Sequence, residues 1–152
     1  MDFNPCMKHK VVRKAVRMFA EAELGPIAHD IDRDARFPEE VVEKMRPLHF
    51  FGLQAPKAYG GAEMDTISYA IVIEEISRIS AAVGLCLTVH NSVGIYPIVR
   101  FGTAEQKKRF LPAMAGGERI GAFCLTEANA GSDAGGVETV AVRDGNDYVI
   151  NG

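Results

Sequence analysis

From Asp65 to Arg100 the chain places apolar residues on almost every side of a helix, and no other feature constrains its fold as strongly. Ile67, Ala70, Ile71, Ile73, Ile76 and Ile79 cover more than one face of a first segment, which Asp65 can cap through its carboxylate. Ala81 to Arg100 reads as a second apolar helix. A helix greasy all round must be enclosed by other elements, so both belong at the centre of a bundle. Neither is read as a membrane span, because the longest greasy stretch, Ile79 to Val89, falls well short of the ~20 residues a bilayer requires.

The flanking segments supply the enclosing helices. Val11, Val12, Ala15, Val16, Phe19, Ala20 and Leu24 recur at helical steps, with Arg13, Lys14 and Arg17 forming a wet face. Gly25-Pro26 is expected to stop this helix, and Asp30, Asp32, Arg33 and Asp34 to form a polar turn. Pro38 at the first helical position, followed by Glu39 and Glu40, starts another helix whose apolar face is Val41, Val42 and Met45. Tyr59-Gly60-Gly61 reads as a loop. Thr103 to Gln106 is a capping box that opens a helix running through Phe110, Leu111 and Met114 to Gly116-Gly117.

The pattern then changes. Ile120 to Leu125 suits a strand, Glu127 to Gly136 a loop of small residues, and Val137, Val140 and Val142 a second strand. Asp144 to Asp147 is a turn, and Tyr148, Val149 and Ile150 begin a third strand. The expected fold class is mainly α: an up-and-down helical bundle over residues 1–117, then over 118–152 the first strands of a β-barrel-like middle domain, truncated with its last strand unpaired.

Composition excludes several function classes. Hydrophobic residues make up 47% and charged residues 24%, which rules out a disordered chain. The 17 basic residues do not balance the 20 acidic ones, and a net charge of −3 argues against nucleic-acid binding. Cys6, Cys86 and Cys124 lie far apart without a CxxC pair and read as reduced intracellular thiols. No metal set is written: the acids between Asp30 and Glu40 do not follow calcium-loop spacing. His90 reads as a hydrogen-bonded histidine in preference to a catalytic imidazole. The charged opening from Met1 to Lys10 lacks an apolar run and is not expected to be a secretory or transit leader.

The segment with chemical content is Phe123 to Gly136. Thr126 and Ser132 offer hydroxyl donors, and small residues let successive backbone N–H groups approach a ligand as an anion nest. A diphosphate fits, as does a ring with carbonyl and imide edges, and flavin dinucleotides carry both. The run is neither a P-loop, which needs a Lys after its glycines, nor G-x-G-x-x-G, nor the G-x-S-x-G nucleophile elbow. A Gly-rich surface loop accounts for the local pattern equally well.

Leu125-Thr126-Glu127-Ala128-Asn129-Ala130-Gly131-Ser132-Asp133 resembles the first signature of the acyl-CoA dehydrogenase family: aliphatic, Ser/Thr, Glu, two variable residues, small, Gly, Ser/Thr, Asp. Phe110-Leu111-Pro112, Tyr59-Gly60-Gly61, Phe101 to Lys107 and Asp147 to Gly152 are similar to its flanks, so the resemblance runs from about Phe3 to Gly152. It implies an N-terminal helical domain, a middle β domain and a C-terminal four-helix bundle, with FAD between the last two. Phe123, Cys124, Leu125 and Thr126 are then expected to line the flavin ring edge, with Thr126 donating to the pyrimidine part and raising the ring's potential. Gly131 and Ser132 match positions that meet the diphosphate. Ser132 also touches the acyl-CoA, and Asp133 holds the loop.

The implied reaction is α,β-dehydrogenation of an acyl-CoA thioester: a carboxylate removes the α proton while the β hydride passes to the flavin. The family's base is a Glu of the C-terminal bundle. No residue here matches it, and Glu127 is a signature residue instead, so this chain is expected to hold no catalytic residue and to be inactive alone. Leu85, Cys86 and Val89 match the helix bordering the acyl pocket, where their bulk favours short or branched chains; ordinary core packing is the competing reading. The resemblance further implies a fatty acid β-oxidation enzyme that passes electrons to electron-transfer flavoprotein, forms a homo-oligomer (dimer or tetramer), binds no nucleic acid and does not insert into membranes. It would work in the bacterial cytoplasm or mitochondrial matrix. The alternatives are an acyl-CoA oxidase, reoxidised by oxygen, and a non-catalytic helical module for oligomer contacts or partner binding.

Overall fold

Neighbouring helices cover one side of each apolar segment: Ile71, Val72, Ile76, Val83 and Leu87 are buried, whereas Ile67, Leu85, Tyr96 and Phe101 stay exposed, so the full enclosure expected from the pattern is not reached. The computed structural model describes residues 5–152; Met1 to Asn4, part of the opening read for a leader, lie outside it. The described chain forms two compact units, one ending at Ala122 and the other spanning Phe123–Gly152.

In the first unit α1 is Met7–Phe19, α2 Ala28–Arg33, α3 Glu39–Met45, α4 Thr66–Ser77, α5 Ala81–Val89, α6 Tyr96–Phe101 and α7 Ala104–Ala115. Val16, Leu24, Val41, Met45, Phe51, Leu53, Val72, Ile76 and Leu87 form its main core, and Ala55, Ile95, Leu111 and Ala115 a second cluster. The caps are as read from sequence. Asp65 Oδ1 accepts the Ser68 N–H at 2.8 Å, and Thr103 and Gln106 make both bonds of the capping box.

Four details differ from the expectations. Gly25-Pro26 does not end the first helix. A π-helical turn (Ala20–Leu24) and a 3-10 turn (Gly25–Ile27) carry it into α2, because Pro26 sits early in the 3-10 turn, where its missing N–H has no partner to lose. The expected polar turn at Asp30 to Asp34 is therefore mostly α2. Pro38 stands one place before α3, with its carbonyl accepting the N–H groups of Val41 and Val42. Arg13 and Arg17 are not simply a wet face: they reach the buried Glu75 on α4, at 2.5 Å and 2.9 Å.

The helix read as Ala81 to Arg100 is continuous through Phe101, with a π-helical stretch at His90–Ile95 just before Pro97. A proline inside a helix removes one backbone bond, and the wider turn absorbs that loss. At 21 residues it is long and apolar enough to cross a bilayer, which the Ile79 to Val89 limit understated. Its buried polar residues, His90 and Asn91, tie one side of it to the core of the first unit. Asn91 Nδ2 donates to the carbonyls of Phe50 and Leu87, both at 3.0 Å, and its Oδ1 accepts the Leu53 N–H.

The second unit holds a two-stranded antiparallel hairpin, β1 (Val140–Asp144) with β2 (Asp147–Asn151), in the register Val142↔Val149. Gly145 turns it with a φ of 61°, the left-handed first position of a type II′ turn. Both strands are exposed along their whole length, and Val140, Val142, Tyr148, Val149 and Ile150 face solvent. The strand expected at Ile120 to Leu125 is absent: that segment belongs to no helix and has no ladder partner among the described residues, and β structure exists only between partners.

Candidate functional site

Glu127 organises the loop of the second unit. Its backbone N–H donates to Ala130 O at 3.1 Å and its carbonyl accepts the Ala130 N–H at 3.2 Å, closing a tight turn over the buried Ala130 methyl. Its carboxylate reaches the start of β1, accepting the Glu138 N–H at 2.8 Å, the Thr139 N–H at 3.1 Å and the Thr139 hydroxyl. The Thr139 hydroxyl first, and then the Glu138 amide, hold the Glu127 carboxyl below its ordinary pKa. An ionised acceptor suits this role, since each donor bond favours the charged form. Asp133 plays a smaller part of the same kind, accepting the Gly135 N–H at 3.1 Å.

These anchors leave the anticipated ligand-facing residues open. Phe123, Cys124, Leu125, Thr126, Gly131 and Ser132 are all exposed. The backbone N–H groups of Phe123 to Thr126, and the hydroxyls of Thr126 and Ser132, meet no protein acceptor among the described residues. A Cβ built on Gly131 would meet nothing within 4 Å, so a ligand can approach its backbone closely. A shallow depression is lined by Thr126, Glu127, Ala128, Asn129, Glu138 and Gly152; of the anticipated residues it takes Thr126. Free amides, hydroxyls and an open glycine form a donor set suited to a ligand rich in carbonyl and phosphate oxygens, as FAD is.

The anticipated acyl-pocket residues lie in the first unit and do not behave alike. Leu85 is 63% exposed, which removes core packing as its explanation. Cys86 and Val89 are half-buried. Cys86 borders an apolar cavity of about 110 Å³ with Phe37, Val42, Phe51, Ala82 and Leu87. Burial there pushes its thiol above the ordinary cysteine pKa. Leu85 does not line that cavity, since adjacent helical residues point about 100° apart.

Sequence reasoning missed three residues that organise these units: Glu127 as a clamp, Glu75 as a buried carboxylate and Asn91 as a core hydrogen-bonding hub. The fixed Glu of the signature was the one available signal, and it pointed only to Glu127.

Comparison with known proteins agrees with this architecture. Residues 7–118 match the family model for the acyl-CoA dehydrogenase N-terminal domain. The short-chain specific acyl-CoA dehydrogenase of Clostridium acetobutylicum is 47% identical over 152 residues, covering 100% of this chain and 40% of that protein. The 3-(aryl)acrylate reductase of Clostridium sporogenes is 47% identical over 145 residues, covering 95% of this chain and 38% of that protein. Butyryl-CoA dehydrogenase from Megasphaera elsdenii superposes with a TM-score of 0.90 at 34% identity, over 100% of this chain and 41% of that one. The chain thus spans about two fifths of the length of the curated relatives it matches. With its helical order, its hairpin and a signature loop held by Glu127, the chain belongs to the acyl-CoA dehydrogenase family.

Proposed function

We propose that this chain is the N-terminal part of an FAD-dependent acyl-CoA dehydrogenase that acts on short or branched acyl-CoA thioesters. Residues 1–117 are its helical domain and 118–152 the start of its middle domain. The observation that carries the reading is the open donor set around Thr126, presented by a loop that Glu127 anchors from behind.

In this reading Phe123, Cys124, Leu125 and Thr126 line the flavin ring, and the Thr126 hydroxyl donates to its pyrimidine edge. Gly131 and Ser132 take the diphosphate, and Ser132 also meets the acyl-CoA. Leu85, Cys86 and Val89 border the acyl chain. FAD, when bound, supplies the acceptor for the β hydrogen. The chain's own residues bind and orient; none of them serves as the α-proton base, so the 152-residue chain alone does not turn over. The complete enzyme is a homo-oligomer of the bacterial cytoplasm or mitochondrial matrix and passes electrons to electron-transfer flavoprotein.

A second reading is favoured by the 47% identity to a 3-(aryl)acrylate reductase: the same machinery run toward reduction of a conjugated double bond.

The test is purification of the natural protein that contains this sequence, with its mass, flavin absorption and reduction by acyl-CoA thioesters of graded length. Stoichiometric flavin bleached fastest by short or branched substrates is expected, with electrons passing to the flavoprotein acceptor faster than to oxygen. Fast reoxidation by oxygen identifies an oxidase, and a protein that never retains flavin overturns the reading in favour of a non-catalytic module. Leu85→Ala in that protein is expected to lengthen the preferred acyl chain, and an unchanged preference removes Leu85 from the pocket.

A further inference from the structure

Cys6, His9 and Asp65 form a chain of three interacting side chains at the start of α1. Cys6 Sγ lies 3.3 Å from His9 Nδ1, and His9 Nε2 lies 3.1 Å from Asp65 Oδ1. The Asp65 carboxylate is itself held in place. It accepts from Lys8 Nζ at 2.7 Å, the Ser68 N–H at 2.8 Å and the Ser68 hydroxyl at 3.1 Å.

These contacts fix the roles. A carboxylate only accepts, so the His9 Nε2 carries the hydrogen shared with Asp65. Nδ1 then presents its lone pair to the Cys6 thiol. This is the relation that activates a nucleophile: a base within reach of its proton, and a third group that sets the base's tautomer. The geometry is also accessible where it needs to be. Cys6 is exposed, whereas the His9 side chain is only 11% exposed and so cannot easily turn away. Cys6 precedes the thirteen-residue α1 at its N-cap position but makes no side-chain capping bond, so its sulfur is free to react.

Cys86 and Cys124 have no such arrangement among the described residues. Cys86 is half-buried beside an apolar cavity, and Cys124 is exposed without a hydrogen-bond partner.

We propose that Cys6 is a nucleophilic modification site, with His9 as its base and Asp65 as the carboxylate that positions His9, and that it exchanges with small disulfides to form a mixed disulfide. In this step His9 takes the thiol proton as Cys6 Sγ attacks one sulfur of the disulfide. A new S–S bond to Cys6 forms while the S–S bond of the reagent breaks. Cys6 is oxidised, and the released thiolate is reduced and takes up the proton. The site depends on neither flavin nor acyl-CoA, so it stands apart from the proposed dehydrogenase chemistry.

The experiment exposes the 152-residue chain to glutathione disulfide and follows each cysteine by peptide-resolved mass spectrometry. Cys6 is expected to form the mixed disulfide about ten-fold faster than the exposed Cys124, which serves as the internal reference. His9→Gln should remove that advantage and leave the Cys124 rate unchanged. If that variant does not fold, iodoacetamide alkylation of the unaltered chain with and without denaturing urea replaces it: the advantage of Cys6 over Cys124 should be present in the folded chain and vanish in the unfolded one, where His9 no longer stands beside the thiol. Equal rates at Cys6 and Cys124, an advantage that survives His9→Gln, or one that survives unfolding in urea overturns the proposal.

Discussion

His90 Nδ1 accepts the backbone N–H of Gly121 at 2.8 Å. That bond assigns the tautomer. With Nδ1 accepting, the ring hydrogen is on Nε2, which donates to Phe51 O at 2.9 Å and shares the bond with Met114 O at 3.1 Å. The ring is fully buried and packs edge-on to Phe51. A neutral imidazole therefore joins three separate stretches of chain, and its role is architectural.

Replacing His90 with leucine keeps the volume but strands the Gly121 N–H and the Phe51 carbonyl, while Met114 O keeps the Gly117 N–H. Leaving such groups unpaired in the interior costs roughly 3 kcal/mol, which urea denaturation of His90→Leu should show.

The same histidine makes stability depend on pH. Burial lowers its pKa in the folded state, against the opposing effect of the Met114 and Phe51 carbonyls. A depressed folded pKa means that the unfolded chain takes up the proton first. The contribution is therefore complete above the ordinary value of about 6.5 and is lost as the pH falls below it. Urea midpoints between about pH 7.5 and 5.5 should decline in the unaltered chain and decline less in His90→Leu.

Glu75 acts in a lower window. Its carboxylate is only 1% exposed and is bound by Arg17 and Arg13, with Arg78 Nε 3.5 Å away. The Arg17 hydrogen bonds, helped by Arg13 and opposed by desolvation, bring its pKa from 4.5 down to about 2. Its stabilisation is present above pH 4.5 and lost as the pH falls toward 2. Glu75→Gln leaves the arginines facing a neutral amide and should cost roughly 3 kcal/mol at neutral pH, because removing one partner of a buried pair isolates the other.

Two glycines separate packing from ligand approach. A Cβ on Gly84 would stand 1.9 Å from Ser77 Oγ and 3.0 Å from Ser77 Cα, so Gly84→Ala should push α5 off the end of α4 and cost about 1–3 kcal/mol. Gly131 has nothing within 4 Å, so Gly131→Ala should leave the thermal melt unchanged. If the proposed flavin site holds, the same change in the complete protein should weaken flavin retention, and equal retention removes Gly131 from that proposed site.

The Glu127 clamp is tested by hydrogen exchange. Glu127→Ala frees the amides of Glu138 and Thr139, which should then exchange about ten-fold faster while the amides of α4 and α5 stay protected. Unchanged exchange at those two amides refutes the clamp.

Sequence alone determined the features written within a few residues of one another. The Asp65 cap, the Thr103–Gln106 capping box and the turn at Gly145 are set by residues three places or fewer from the backbone they shape, and helical periodicity announced a helical bundle. The signature loop was legible as a mark of the family, because its fixed residue types stand at fixed spacing. Only the tertiary structure decided the rest. Glu75 lies far along the chain from Arg13 and Arg17, and His90 from Phe51 and Gly121, so no local pattern separates a buried acid from a wet one or a hub histidine from a reactive one. The segment from Ile120 to Leu125 teaches the same lesson in reverse: its residues suit a strand, but a strand is a relation between two stretches of chain, and it forms only where packing brings a partner alongside.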